Sequence, residues 1–356
     1  MPVMSVDRAT SLCRAALKAK GMSDREADDC TNAIMFATRR GLDSHGIVSI
    51  LVGICKSIQV GRVETNANVL TIREGAVTAV FRGNSAAGPV AAAHAMRAAI
   101  AKAREHGVGI TTVMHAAHFG AASVYASMAA DAGLIGLVMC NAQSHVAPFG
   151  GRGKFMGTNP IAYAVPSDKA PPIVLDIATS AAAFGQIMKA HRRGQTLPAG
   201  WALDKDGNPT TDAAAALEGM LQPFGGHKGY GLGVLVDLLT GALTGTTVGH
   251  AIRQGDPGNT GGGQAFFFLA INPEHFCDEG TYRGKVDELV GYAKTVPPAE
   301  GFKEVLLPGE LEWREERRRE KEGIPLADGD WKALSEGLAE AGVPAEIIQA
   351  HTPAAS

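Results

Sequence analysis

The chain lacks the short signatures of the common nucleotide-binding and hydrolytic sites. It has no GxxxxGK run followed by Ser or Thr, which excludes a P-loop. It has no GxSxG nucleophile elbow and no HExxH zinc helix. Gly151-Arg152-Gly153-Lys154-Phe155-Met156-Gly157 approaches the dinucleotide fingerprint GxGxxG, but it carries an extra residue and neither a strand nor a helix frames it. The five cysteines, at 13, 30, 55, 140 and 277, are scattered without a CxxC. That argues for reduced thiols in a cytoplasmic protein and gives no zinc framework. No basic excess exists: the net charge is −3 and the pI about 6.4, so neither nucleic acid nor an anionic membrane surface is an expected partner. No apolar run approaches the ~18 residues of a membrane span, and the first residues lack a basic-then-apolar leader pattern.

What is present points to a folded α/β protein. Hydrophobic residues make up 46% and charged residues 19%, which excludes disorder, and 356 residues suffice for one large domain or two. The 44 glycines and abundant alanines predict close backbone packing and tight turns. Helical periodicity covers Val6 to Lys20 and Ser23 to Arg39, where Ser23-Asp24-Arg25-Glu26 has the form of a capping box. Further helices are predicted over 47–59, 87–106 (stopping at Gly107), 120–132, 181–191, 228–244, 312–323 (charged and solvated) and 331–341. Strands are predicted as two short segments around Glu74-Gly75, then over 109–113, 135–140, 162–165, 172–176 and 265–270, with 194–212 rich in turns. This alternation of helices and strands argues for an α/β architecture.

Four stretches carry chemistry. Gly41-Leu42-Asp43-Ser44-His45-Gly46 follows a helix that Gly41 can stop, with Ser44 placed to cap the next helix and His45 at its start, facing a cleft. The same residues also read as plain caps and a surface imidazole. His115-Ala116-Ala117-His118-Phe119-Gly120 follows a buried strand, where α/β proteins place ligand-binding groups. No carboxylate or Cys stands at ligand spacing, so no metal is expected. Asp176 ends another strand ahead of Ile177-Ala178-Thr179-Ser180, as a site residue or a turn residue. Phe224-Gly225-Gly226-His227-Lys228 opens a helix whose free amides and Lys228 would attract an anion.

Taken together, these stretches resemble the malate/L-lactate dehydrogenase type of NAD(P)-dependent oxidoreductase, which also includes ureidoglycolate and sulfolactate dehydrogenases, diketogulonate reductase and piperideine-2-carboxylate reductase. The matching segments are Asp43-Ser44-His45-Gly46, His118-Phe119-Gly120, Val146 to Gly151, Gly157-Thr158-Asn159-Pro160, Asp176 to Ser180, Gly200-Trp201-Ala202, Gly225 to Leu232, and Leu307-Pro308-Gly309-Glu310, in family order over roughly residues 5–320. The resemblance implies a non-Rossmann dinucleotide-binding fold with a mixed sheet and a helical domain formed by both chain ends. The implied division is 1–75 as an N-terminal helical part, 76–305 as the mixed-sheet cofactor and substrate domain, and 306–356 as a segment returning to the helical part. It also implies a homodimer using NAD or NADP on a small 2-oxo or 2-hydroxy acid or a cyclic imine.

By the same resemblance, His45 is the acid/base, Asp176 orients or charge-balances the site, and His118 binds substrate or aids proton transfer. Val174, Asp176, Ile177, Ala178, Thr179, Ser180, Trp201, Ala202, Pro308, Gly309 and Glu310 would line the dinucleotide. Ser49, His115, His118, Ala142, Thr158, Asn159, Phe184, His227 and Lys228 would face the substrate. The chain also departs from the family pattern. Ser49 replaces an Arg that clamps a substrate carboxylate. His115-Ala116 replaces Asn-Ser, Ala142 replaces Ser, and Phe184 and Gln186 replace an Arg and a Lys. Ser does not reproduce a bidentate Arg–carboxylate contact. Two alternatives therefore stand beside an active oxidoreductase: a family member with an altered pocket and different chemistry, and a dinucleotide-binding protein without turnover. His191-Arg192-Arg193 reads either as a contact for a 2′-phosphate or as a solvated charge run.

Overall fold

The computed structural model describes residues 2–252, 263–278, 280–326 and 328–353. The chain opens with a two-residue strand, β1 (Val3–Met4), and the amphipathic helices α1 (Val6–Ala19) and α2 (Asp24–Arg39). The Ser23 capping box forms: Ser23 Oγ accepts from the Glu26 N–H while the Glu26 carboxylate accepts from the Ser23 N–H. Beyond α2 the chain makes a 3₁₀ turn (Asp43–His45), a single π turn (Ile47–Leu51) and α3 (Val52–Gln59).

The central sheet is then laid down as β2 (Leu70–Glu74), β3 (Thr78–Arg82), α4 (Gly88–His106), β4 (Val108–Ala116), α5 (Ser123–Asp131), β5 (Ile135–Cys140), β6 (Ile161–Val165) and β7 (Ile173–Ile177). A smaller region follows: α6 (Phe184–Arg192), β8 (Ala202–Leu203), β9 (Pro209–Thr210), α7 (Ala213–Glu218) and β10 (Met220–Leu221). The chain returns through α8 (His227–Asp237), which runs into a second π turn at Leu238–Ala242, and β11 (Gln264–Ile271). It closes with α9 (Thr281–Thr295), α10 (Glu310–Glu322), β12 (Ile324–Pro325), α11 (Asp328–Glu340) and α12 (Ala345–Ala350).

The seven-stranded sheet has the order β2-β3-β4-β11-β5-β6-β7. Only β3 and β4 run parallel; the other pairings are antiparallel, so the sheet is mixed. Strand β11 is buried along nearly its whole length at the centre. Phe266 stacks on Phe119 with ring centroids 4.4 Å apart, and Phe268 meets Tyr125 edge-on. The Ala and Gly content is explained by how closely α4 and α5 approach this sheet. A Cβ at Gly109 would lie 2.0 Å from the Ala99 carbonyl oxygen of α4, and one at Gly136 would lie 2.4 Å from that of Ala126 in α5. Gly107 ends α4 in the left-handed region at φ +83°.

A second apolar cluster lies outside the sheet and draws on both chain ends. Leu12 and Leu17 of α1, Ile34 of α2, Leu51, and Leu334 and Leu338 of α11 are all fully buried in it, and β1 pairs with β12. A third cluster, containing Val146, Met156, Ile187 and Leu221, fills the smaller region over the three-stranded sheet β10-β8-β9.

The structure departs from the sequence expectations in several places. Ser44 caps no helix, because its hydroxyl lies 2.9 Å from His45 Nδ1 instead. Helix α10 is not simply solvated: Glu316 and Arg319 are buried against α2 and the turn that follows it. The turn-rich stretch 194–212 contributes strands, and α9 and α12 lie where no helix was expected.

Candidate functional site

Three segments converge at the carboxyl end of β7. The first is the 3₁₀ turn Asp43–His45, whose backbone is closed by the His45 N–H donating to the Leu42 carbonyl at 2.8 Å. With Nδ1 beside Ser44 Oγ, the His45 ring has Nε2 left to present elsewhere. The second is the loop after β4, where His118 accepts the Gly120 N–H at Nδ1, 3.2 Å. The rings of His45 and His118 stack at 5.6 Å with an interplanar angle of 16°. The third is β7 itself. Asp176 Oδ2 accepts from both the N–H and the hydroxyl of Ser123, at 2.8 and 2.7 Å, at the start of α5.

These groups adjust one another's protonation. Desolvation lowers the pKa of His45 below its ordinary value, and the Asp176 carboxylate opposes that shift. Desolvation raises the pKa of Asp176, against the hydrogen bonds from Ser123 and the charge of His45. Crowding by protein, and then the neighbouring His45, lowers the pKa of His118. Two stacked imidazoles resist carrying two protons, so this pair is suited to hold one.

Asp176 and Ser123 also line a cavity of about 160 Å³ together with Arg40, Val174, Gly309 and Trp313. The Pro308 carbonyl accepts the Val174 N–H at 3.1 Å. Gly309 has φ +82°, and a Cβ there would lie 2.5 Å from the Val174 carbonyl oxygen, so only glycine lets the two segments meet. A second cavity of about 260 Å³ lies on the other side of Pro308 and Glu310, beside Lys294 and Arg314. Glu310 is ion-paired with both of these cations, at 2.6 Å each. Pro172 and Trp313 line both cavities, so the two lie next to each other.

The remaining residues singled out in the sequence fall into separate groups. Thr179 donates its N–H and hydroxyl to the Thr158 carbonyl. Asn159 is buried at φ +37° and donates to the Gly233 carbonyl while accepting the Ala142 N–H. Ile177 and Ala178 are half-buried at the end of β7, and Ser180 bonds its own loop at the Ala182 carbonyl. His115, half-buried at φ +52°, ends β4, and Ser49 is exposed on the π turn after His45. Phe184 opens α6 and stacks face to face on His145 at 4.6 Å. His145 Nδ1 is buried and has no hydrogen-bond partner. His227 and Lys228 are exposed at the start of α8. Trp201 packs on the smaller cluster, and Ala202 is fully buried in β8. Lys56 points away and pairs with Glu340 at 2.8 Å.

Sequence reasoning missed Ser123 and His145. A serine at the first turn of a predicted helix was a signal for Ser123; nothing in the sequence set His145 apart. The Gly151–Gly157 run forms no helix-framed phosphate loop. It carries a bridge from Val146 to Met156, with Gly157 packed against the Ala142 carbonyl.

Comparisons with known proteins point to one family. The family model for malate/L-lactate dehydrogenase matches residues 4–335. The L-sulfolactate dehydrogenase of Methanocaldococcus jannaschii is 36% identical, with 97% of this chain and 98% of that protein aligned, and its solved structure superposes with a TM-score of 0.87. The ureidoglycolate dehydrogenase (NAD(+)) of Escherichia coli K12 is 32% identical over 91% of this chain and 90% of that protein. The Δ1-piperideine-2-carboxylate reductase structure from Pseudomonas syringae is 33% identical, with a TM-score of 0.84, covering 95% of this chain and 100% of that one.

Proposed function

The chain belongs to the malate/L-lactate dehydrogenase family of NAD(P)-dependent oxidoreductases, and from that premise we propose that it reduces a small 2-oxo acid or cyclic imine, or oxidises the matching 2-hydroxy acid or amine, with His45 as the acid/base. The observation that carries this reading is the position of His45. It sits stacked on His118 and electrostatically coupled to Asp176, whose side chain lines the same cavity as Val174 and Gly309.

NAD or NADP, when bound, would supply or accept the hydride. Val174 to Ala178 and Pro308-Gly309-Glu310 would hold it, with the buried Thr179, Ser180 and Ala202 and the packed Trp201 supporting that surface from behind. In the reductive direction His45 donates a proton from Nε2 to the substrate oxygen or nitrogen as that atom gains negative charge. In the oxidative direction the neutral ring takes the proton back. Asp176, held by Ser123, stabilises the protonated ring. His118 orients the substrate, and its own reluctance to ionise keeps the shared proton on His45.

The substrate side differs. Ser49, Ala142 and Phe184 offer no cation where the carboxylate of a small 2-oxo acid would need one. Each missing charge-assisted hydrogen bond costs ~1.5–3 kcal/mol, or roughly 10–150-fold in affinity. Thr158 and Asn159 form the floor, His115 adds a polar group, and Lys228, next to His227, supplies the remaining cation. The preferred substrate is therefore larger and less acidic than malate, with an aryl, alkyl or cyclic-imine body.

The test is kcat/KM for oxaloacetate, pyruvate, phenylpyruvate and piperideine-2-carboxylate with NADH and with NADPH. Preference for either of the latter two substrates supports the reading. A tenfold preference for oxaloacetate or pyruvate overturns it.

The protein is further proposed to be a cytoplasmic homodimer, organised as residues 1–75, 76–305 and 306–356. The free cysteines support a reducing compartment. Leu232, Leu235, Leu238 and Leu243 stand exposed along one stretch and support a self-association face, which light scattering of the purified protein tests directly.

A further inference from the structure

Helix α10 touches the candidate site at both ends. Its first turn grows from Gly309, seated on Val174 in the cavity wall. Ten residues on, about 15 Å along the axis, Arg319 is buried with only 6% exposure. Its Nη1 donates to the Thr38 carbonyl at 2.7 Å and to Asp43 Oδ1 at 3.1 Å, and its Nε donates to Glu315 at 2.6 Å. Thr38 lies in the last turn of α2, and its hydroxyl accepts the Ile47 N–H at 2.9 Å. Asp43 opens the 3₁₀ turn that ends on His45. Between them Gly41, at φ +75°, lies directly against Glu315 and Arg319, leaving about 3.1 Å for a Cβ.

One guanidinium thus grips the chain on both sides of the bend that delivers His45. A buried charge needs such partners, and the planar fork reaches a carbonyl and a carboxylate at once, which an ammonium on a flexible stem does not.

We propose that Arg319 is the positioning residue for His45: from the far end of the helix that starts at the cavity wall, it locks the Thr38–His45 bend so that the imidazole faces the reacting atoms. This rests on the reading of His45 as the acid/base.

The experiment combines R319M, R319K, H45A, the double variant R319M/H45A, and R317A as a control on an exposed arginine of the same helix. Two readouts are taken on the full chain. The first is the His45 titration, followed by NMR of histidine-labelled protein and assigned by its loss in H45A; it needs no bound ligand. The second is NAD(P)H oxidation with the best of the four substrates above.

In R319M the freed bend exposes His45, so its titration moves up toward the ordinary value. The kcat falls about tenfold or more, and both KM values stay within about threefold. R319K recovers little, R317A matches the wild type, and R319M adds no loss on top of H45A. A lowered melting temperature with an unmoved His45 titration overturns the proposal, as does a kcat loss that multiplies in the double variant. If R319M does not fold, R319K carries the same readouts. An H45A variant with wild-type turnover removes the acid assignment and this proposal together. A large loss in H45A beside a silent R319M or R319K removes this proposal alone.

Discussion

The two walls proposed for the active site are built in opposite ways. On the wall made by β7, the 3₁₀ turn and the Pro308–Glu310 segment, polar groups are closely satisfied. Ser123 holds Asp176, Pro308 holds Val174, and Arg319 holds Thr38 and Asp43. On the wall proposed to face it, from residues 142–145, Phe184 and the start of α8, an aromatic stack contains an unpartnered His145 Nδ1, and the cation Lys228 lies open to solvent. A buried network is costly to alter because each member leaves another unsatisfied. A wall of apolar and exposed groups tolerates exchange.

The contrast is broken most severely at His45. H45A should lower turnover by ~10²–10⁴-fold while the dinucleotide Kd is nearly kept, as measured by steady-state kinetics beside fluorescence titration of NAD(P)H.

Next comes Gly309. G309A forces a side chain into a left-handed backbone and against the Val174 carbonyl. Such strain costs ~1–3 kcal/mol before any clash. A loss of dinucleotide affinity of about tenfold or more is expected by calorimetry, with the fold intact by circular dichroism. Unchanged affinity would detach this segment from the cofactor.

The facing wall should respond by gain rather than loss. S49R supplies a guanidinium one turn beyond His45 and should raise kcat/KM for oxaloacetate by roughly tenfold. No gain would mean that Ser49 does not face the substrate.

A subtler distinction lies in pH. Reduction uses protonated His45, so its rate falls as pH rises through the His45 pKa, which lies below the usual 6.5. Asp176 raises that pKa, so D176N should move this limb to still lower pH. A limb that moved upward would contradict the coupling.

The smallest effect is expected at Gly153, which has open space for a Cβ. G153A should leave dinucleotide affinity within about twofold. Gly151 is a poorer probe, because its Cβ would strike Pro148 at 2.5 Å.

The sequence revealed what local rules control. The Ser23 capping box, the stop at Gly107, the strand pair around Glu74-Gly75 and the buried run 265–270 all appear within a few residues of where periodicity and turn chemistry set them. The motifs also drew attention to His45, His118 and Asp176 before any geometry was known. Features set by distant partners were hidden. Ser44 looked like a cap because its competing partner, the His45 ring, becomes available only in the folded turn. Arg319 looked like one of many solvated charges on a helix of Glu and Arg, and only the bend at Gly41 gives it a cavity. The short strands β8 to β10 carry too few residues for a period to show.

The place of β11 has a consequence for how the protein is made. Phe266 pairs with Val113 on one side and Cys140 on the other, so the middle of the sheet is filled by a strand synthesised roughly 150 residues after β4. Until it emerges from the ribosome, β4 and β5 each present an open, apolar edge. Closing so long a loop is entropically slow. The nascent chain must therefore pass through a stage in which two sticky edges await one late strand, and chaperone demand and aggregation during expression should concentrate there.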